Sequence, residues 1–131
     1  YGIPNCDTVK KARSWLDTQH ISFNFHNFKK DGLSRACVEN WLQHLPLGEL
    51  INRKGTTWRA LTDTQKILAE DASTAVDLLI AQPSLIKRPV LEITEQNILT
   101  LKLGFNEPQY QTVFQAQFAK TIATNATVEN A

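Results

Sequence analysis

The chain has 131 residues, of which 42% are hydrophobic and 21% charged, with a formal charge of +1. That length supports one domain with a real core and is short for two, and the near-neutral balance gives no global field for nucleic acid or an anionic membrane. Two cysteines are too few for a disulfide scaffold, no C-x-x-C or zinc spacing occurs, and no apolar run reaches the ~18 residues of a membrane span. The expectation is a reducing, cytoplasmic setting with no metal, no membrane and no direct nucleic acid. No secretory leader is read. The start at Tyr1 without methionine suggests that residues are missing upstream and that a first strand is clipped.

Residues 1 to 3 read as the end of a strand. Asn5, Asp7 and Thr8 are helix-start residues, and Val9, Ala12 and Leu16 recur at helical spacing, so a helix is predicted over about 7 to 18. In ISFNFHNF, Ile21, Phe23 and Phe25 alternate with polar residues, the pattern of a half-buried strand. KKDG, 29 to 32, reads as a turn.

From about 33 to 82 the signal is helical. Ser34 can cap a helix carrying Val38, Trp41, Leu42 and Leu45, and NRKGTT, 52 to 57, reads as a loop. Thr62 or Asp63 can cap a short helix through Ala69, and Ser73 another through Gln82, stopped by Pro83. Val90 to Ile93 and Ile98 to Leu103 form a hairpin around Glu95 to Asn97. Asn106 then opens a last helix with Tyr110, Val113, Phe114 and Phe118 as candidate contacts, and residues 119–131 read as a polar, disordered tail. The order βαβ, helical block, ββα fits an α/β, thioredoxin-like fold with a helical insertion between its halves, one domain over residues 1–118.

Cys6 carries the sharpest chemical signal. A thiol at a helix start faces unpaired backbone N–H groups and the positive end of the dipole, which favour the thiolate. Lys10 and Arg13 could add positive charge, Asp7 opposes it, and a small buried hydrophobe is the competing reading. Cys37, amid apolar spacing, reads as a core or boundary residue. Val9 stands three residues after Cys6, so a reactive Cys6 works as a monothiol, and an outside thiol, most simply glutathione, must resolve its mixed disulfide. Arg88, before Pro89 at a strand entrance, could grip an oxyanion or carboxylate or be a solvated surface arginine. Asn52 to Thr57, with Arg53 and Lys54, is either an anion-binding loop or an exposed linker.

GIPNCDTVKKARSWL, FHNFKKDGL, LINRKGTTWRAL, AQPSLIKRPVLE and LKLGF, in this order over residues 1 to about 115, resemble the arsenate reductase (ArsC-type) family, above all its YffB branch. The resemblance implies Cys6 as catalytic thiol and Arg53 and Arg88 as substrate-binding residues. Asn5, Lys10 and Pro89 join that site, the last as a cis-proline. Three positions depart from the arsenate-reducing members: Gly2-Ile3-Pro4-Asn5 lacks their histidine, Val9 replaces a serine, and Lys102 is the only basic residue where a third arginine is expected. The resemblance therefore implies a thiol-dependent, glutathione-using reductase with no bound cofactor, with glutaredoxin as a further partner. A true arsenate reductase and a non-enzymatic, Spx-like protein contacting RNA polymerase are the alternatives.

Overall fold

The computed structural model describes residues 1–116. Helix α1 (Asp7–Thr18) starts from Cys6 in an extended conformation. It ends in a Schellman turn: the His20 N–H donates to Asp17, the Ile21 N–H to Leu16, and His20 takes φ 58°. Ile21 and Leu16 then pack together in one apolar cluster.

The helical block is built from short, capped pieces. The KKDG turn is in fact part of a helical turn, α2 (Phe28–Asp31), because Asn27 accepts from the Lys29 and Lys30 N–H groups and Gly32, at φ 70°, closes it. Ser34 caps α3 (Arg35–His44) as expected. A turn α4 (Leu47–Leu50) follows Pro46, and α5 (Thr56–Arg59) forms inside the predicted 52–57 loop. Thr62 and Gln65 make a capping box on α6 (Asp63–Leu68). The cap of α7 (Ala72–Ala81) is Asp71 and not Ser73, since the Asp71 carboxylate accepts both the Ser73 N–H and the Ser73 hydroxyl. Pro83 ends α7 and begins a 3-10 turn, Pro83–Leu85.

Strands β1 (Val90–Glu95) and β2 (Ile98–Leu103) form the antiparallel hairpin, with Val90 opposite Leu103 and Glu95 opposite Ile98. Gln96 at φ 52° and Asn97 at φ 64° make the two-residue turn whose twist suits a hairpin. Asn106 caps a last helix, α8, which covers 107–116 of the described residues. Phe118, the 118 domain boundary and the predicted tail lie outside them.

The strand predicted over ISFNFHNF, 21–28, does not form. Among the described residues its one ladder contact is a parallel bridge between Gly2 and Asn27, and residues 21–25 have no backbone partner on the sheet side. The pattern of half-buried Ile21, Phe23 and Phe25 against exposed Ser22 and Asn24 persists nonetheless. The other side of the N-terminal segment meets β1, where Tyr1 and Val90 exchange both backbone hydrogen bonds, at 2.8 and 2.9 Å. The spatial order is therefore 21–27, the N-terminal segment, β1, β2.

Apolar side chains cover both faces of this layer. Trp41, Leu50, Ile51, Leu79, Leu85 and Ile86 of the helical block bury against Val90 and Leu101. Ala12, Trp15 and Leu16 of α1 meet Tyr110 on the opposite face, joined by Leu91, Phe105 and Phe114. Gly2 lets α1 approach: a Cβ there would stand 2.9 Å from the Val9 Cγ2.

Candidate functional site

Cys6 is the N-cap of α1, with φ −136° and ψ 123°, and its side chain is half-buried. Its carbonyl accepts the Lys10 N–H at 2.9 Å and starts the helix, while its sulfur faces the open N-terminal turn. Burial alone pushes the thiol up. The Val9 N–H, the Arg88 guanidinium and the Thr8 N–H more than reverse this, and the thiol settles below its ordinary value.

Arg88 reaches the sulfur because the chain before β1 is fixed. The Arg88-Pro89 bond is cis, as the sequence comparison with the family implied, and Pro89 is buried. The Arg88 Nη1 donates to the Ser84 carbonyl at 2.7 Å. Its Nε is buried and has no partner among the described residues. A buried cationic N–H left open beside a stabilised thiolate is a donor waiting for an acceptor.

Arg53 belongs to the adjoining loop. Ile51 bridges to Ile86, the Asn52 N–H donates to the Leu85 carbonyl at 2.7 Å, and the Lys87 N–H donates to the Leu50 carbonyl at 2.9 Å. These contacts bring the start of the Arg53 loop alongside the segment that leads to Arg88. The Arg53 side chain is exposed and its guanidinium lies 5.3 Å from the centre of the Trp58 ring, so the loop is near the site while its charge rests on an aromatic face. A depression of about 310 Å³ lies alongside, lined among others by Ile3, Lys29, Thr57, Pro83 and Ser84.

Asn5 and Lys10 are exposed at the mouth of α1. Arg13 is turned away, its guanidinium 4.0 Å from the centre of the Phe25 ring. Cys37 packs half-buried against the main core, and burial pushes its thiol above the ordinary value. The Thr8 and Val9 N–H donors are the backbone groups expected of a helix start, while the Ser84 carbonyl and the Trp58 ring are the groups not singled out from sequence. Only Trp58, five residues after Arg53 in an otherwise polar loop, left a visible sign.

Among the described residues no group of three or more His, Cys, Asp and Glu is arranged for a metal ion, and no helix is long and apolar enough to cross a membrane.

Known proteins share the fold that carries this site. A solved structure of a YFFB protein superimposes with a TM-score of 0.77 at 41% identity, covering 86% of this chain and 94% of that one. An arsenate reductase (ArsC) related protein from Brucella melitensis gives a TM-score of 0.65 at 43% identity, over 87% and 91%. The thioredoxin-like α/β fold with its helical insertion is thus that of this chain. An uncharacterised protein of Haemophilus influenzae is 40% identical, over 87% of this chain and 96% of its own. The global transcriptional regulator Spx of Streptococcus pyogenes is 26% identical, over 96% and 91%. The family model described as ArsC family matches residues 1–113, and with that extent of agreement the chain belongs to the ArsC family.

Proposed function

We propose that the protein is a glutathione-dependent thiol reductase acting through Cys6, and that it works in the cytoplasm. The observation that carries this reading is the Cys6 thiol held below its ordinary value by α1 N–H groups and Arg88. In the first step the Cys6 thiolate attacks the glutathione sulfur of an oxidised mixed disulfide. A Cys6–glutathione disulfide forms, the old S–S bond breaks, and the substrate leaves as its thiolate. In the second step a glutathione thiolate attacks the glutathione sulfur bound to Cys6. Glutathione disulfide leaves and Cys6 returns as thiolate. Glutaredoxin could carry out this second step in place of free glutathione.

Val9 at the position three residues after Cys6 supports an outside resolving thiol, since no second cysteine is there to close an internal disulfide. Arg88 and Arg53 supply positive charge for the carboxylates of glutathione, and the neighbouring depression, with Lys29 at its edge, has room for the peptide part of the molecule. The absence of the family's histidine and third arginine weighs against arsenate as the natural substrate. The test is turnover of a glutathione mixed disulfide. Cys6→Ser should remove it and Cys37→Ser should leave it, and full activity in Cys6→Ser would end this reading.

One observation favours a second reading. The Spx match runs over 96% of this chain. Under that reading the protein binds RNA polymerase without a redox switch, Val9 having taken the place of a second cysteine. Association with polymerase that survives Cys6→Ser, together with no turnover, would favour it.

A further inference from the structure

The Arg53 loop is held by side chains other than Arg53. The Asn52 Oδ1 accepts the Lys54 N–H at 3.1 Å, and the Arg59 Nη2 donates to the Lys54 carbonyl at 2.8 Å. Gly55 closes over Asn52, where a Cβ would stand 3.0 Å from the Asn52 Nδ2. Arg59 is thereby committed to the loop itself. Arg53 is not. Its guanidinium makes no hydrogen bond or ion pair among the described residues, whose ion pairs are those of Arg35 with Glu39 and Asp77. What meets it is the Trp58 ring, whose centre is 5.3 Å from the guanidinium carbon.

The same ring carries a second cation. The Lys66 Nζ, from α6, lies 5.9 Å from its centre, and Lys66 too has no carboxylate partner among the described residues. The two charges stand no farther apart than about one Debye length and repel each other, with the face of a half-buried indole to draw them in. A ring contact uses the charge of an arginine and none of its N–H donors. An anion placed here meets both charges, takes those donors and relieves the repulsion. Thr57, next to Trp58, lines the depression of about 310 Å³ that Ser84 also lines, and Ser84 holds Arg88. The cation pair thus belongs to the same neighbourhood as the thiol without touching it.

We infer that Trp58 is the positioning residue of Arg53, and that Arg53 and Lys66 on its ring form a site for one carboxylate, the glycine carboxylate of glutathione. The identity of the ligand rests on the glutathione-dependent reading; the site itself rests on the two unpartnered cations. Glutathione has two carboxylates with different neighbours. The γ-glutamyl one has an ammonium on the same carbon, which two fixed cations repel. The glycine one carries no such charge, so a doubly cationic site favours it. Trp58 belongs to α5 and Lys66 to α6, so two helical pieces set the site and not the loop alone.

The test is an NMR titration with S-methylglutathione, which forms no disulfide with Cys6, and with its glycine ethyl ester. The proteins are the unaltered chain, Lys66→Gln, Trp58→Leu and Trp58→Phe. The ester and Lys66→Gln should each weaken binding about threefold to tenfold, the scale of one ion pair or charged hydrogen bond at a half-exposed site, and together little more than either alone. Trp58→Leu should weaken it similarly, and Trp58→Phe, which keeps an aromatic face, should recover most of the loss. In turnover of a glutathione mixed disulfide, Lys66→Gln should raise KM and leave kcat and the Cys6 alkylation midpoint in place. No binding to the unaltered chain, unchanged affinity in Lys66→Gln, or ester and substitution losses that simply add would overturn the site. A loss in Trp58→Phe as large as in Trp58→Leu would overturn the positioning role. Turnover with a KM independent of Lys66 sinks the site and leaves the reductase reading. Ester-sensitive, Lys66-dependent binding without turnover keeps the site and sinks that reading.

Discussion

The Arg88 guanidinium interacts with the Cys6 sulfur while its Nη1 donates to the Ser84 carbonyl at 2.7 Å. The carbonyl orients the cation, and the cation in turn favours the thiolate. One more donor, Nε, is buried and open. A charge so held favours the nucleophile, and under the proposed reductase reading its open donor would also meet an incoming anion.

Alkylation against pH separates the two cysteines. Cys6 should label with a midpoint below that of an ordinary thiol and Cys37 with one above, read by peptide mass spectrometry. The sign for stability follows from the same shift. The folded Cys6 loses its proton more readily than the unfolded one, so its contribution is fully present above the ordinary thiol value and is lost as pH falls through the folded one. Equal midpoints would remove the thiolate from the mechanism.

Arg88→Ala should raise the Cys6 midpoint and lower kcat/KM about tenfold to hundredfold, the scale of a lost hydrogen bond to a charged group. Arg53→Ala should leave the midpoint nearly unchanged, since its guanidinium rests on Trp58, and should raise KM instead. Identical effects of the two substitutions on the midpoint would contradict this division.

Gly2→Ala tests how the N-terminal segment supports the site. The new Cβ would meet the Val9 Cγ2 at 2.9 Å and force α1 away from the strand side. The expected cost is about 1–3 kcal/mol by chemical denaturation. The Cys6 midpoint should rise as well, because the Val9 N–H is one of the groups holding the thiolate. Unchanged stability and midpoint would show that the contact is relieved elsewhere.

Trp41 links the helical block to the sheet. It is fully buried, and its Nε1–H donates to Glu92 at 3.2 Å. Trp41→Ala should cost about 3–5 kcal/mol. That is a large share of the 5–15 kcal/mol by which such domains are stable, so the variant should show a strongly reduced denaturation midpoint. A loss below about 1 kcal/mol would mean that the insertion and sheet do not share one core.

Local signals were legible wherever local chemistry decides the outcome. Ser34, Thr62 and Asn106 cap the helices assigned to them because each presents an oxygen to the backbone N–H three residues on. Glu95 to Asn97 turns the hairpin, and Cys6 begins α1. Ser73 was displaced as a cap by Asp71, an equally local contest in which the nearer carboxylate took the N–H. The 21–28 strand failed for a different reason. Its alternation is intact, but a strand exists only with a partner, and among the described residues one bridge to Gly2 is all it finds.

The sequence by itself determined α1, the β1–β2 hairpin, the helix-start thiol and the lack of a second cysteine beside it, since these depend on neighbours a few residues apart. Only the tertiary structure decided which charges reach that thiol. Arg13, two turns along α1, went to Phe25, while Arg88, brought from the far half of the chain by a fixed Pro89 turn, reached the sulfur. Coulomb and hydrogen-bond energies fall off within a few ångströms, and separation along the chain says little about separation in space.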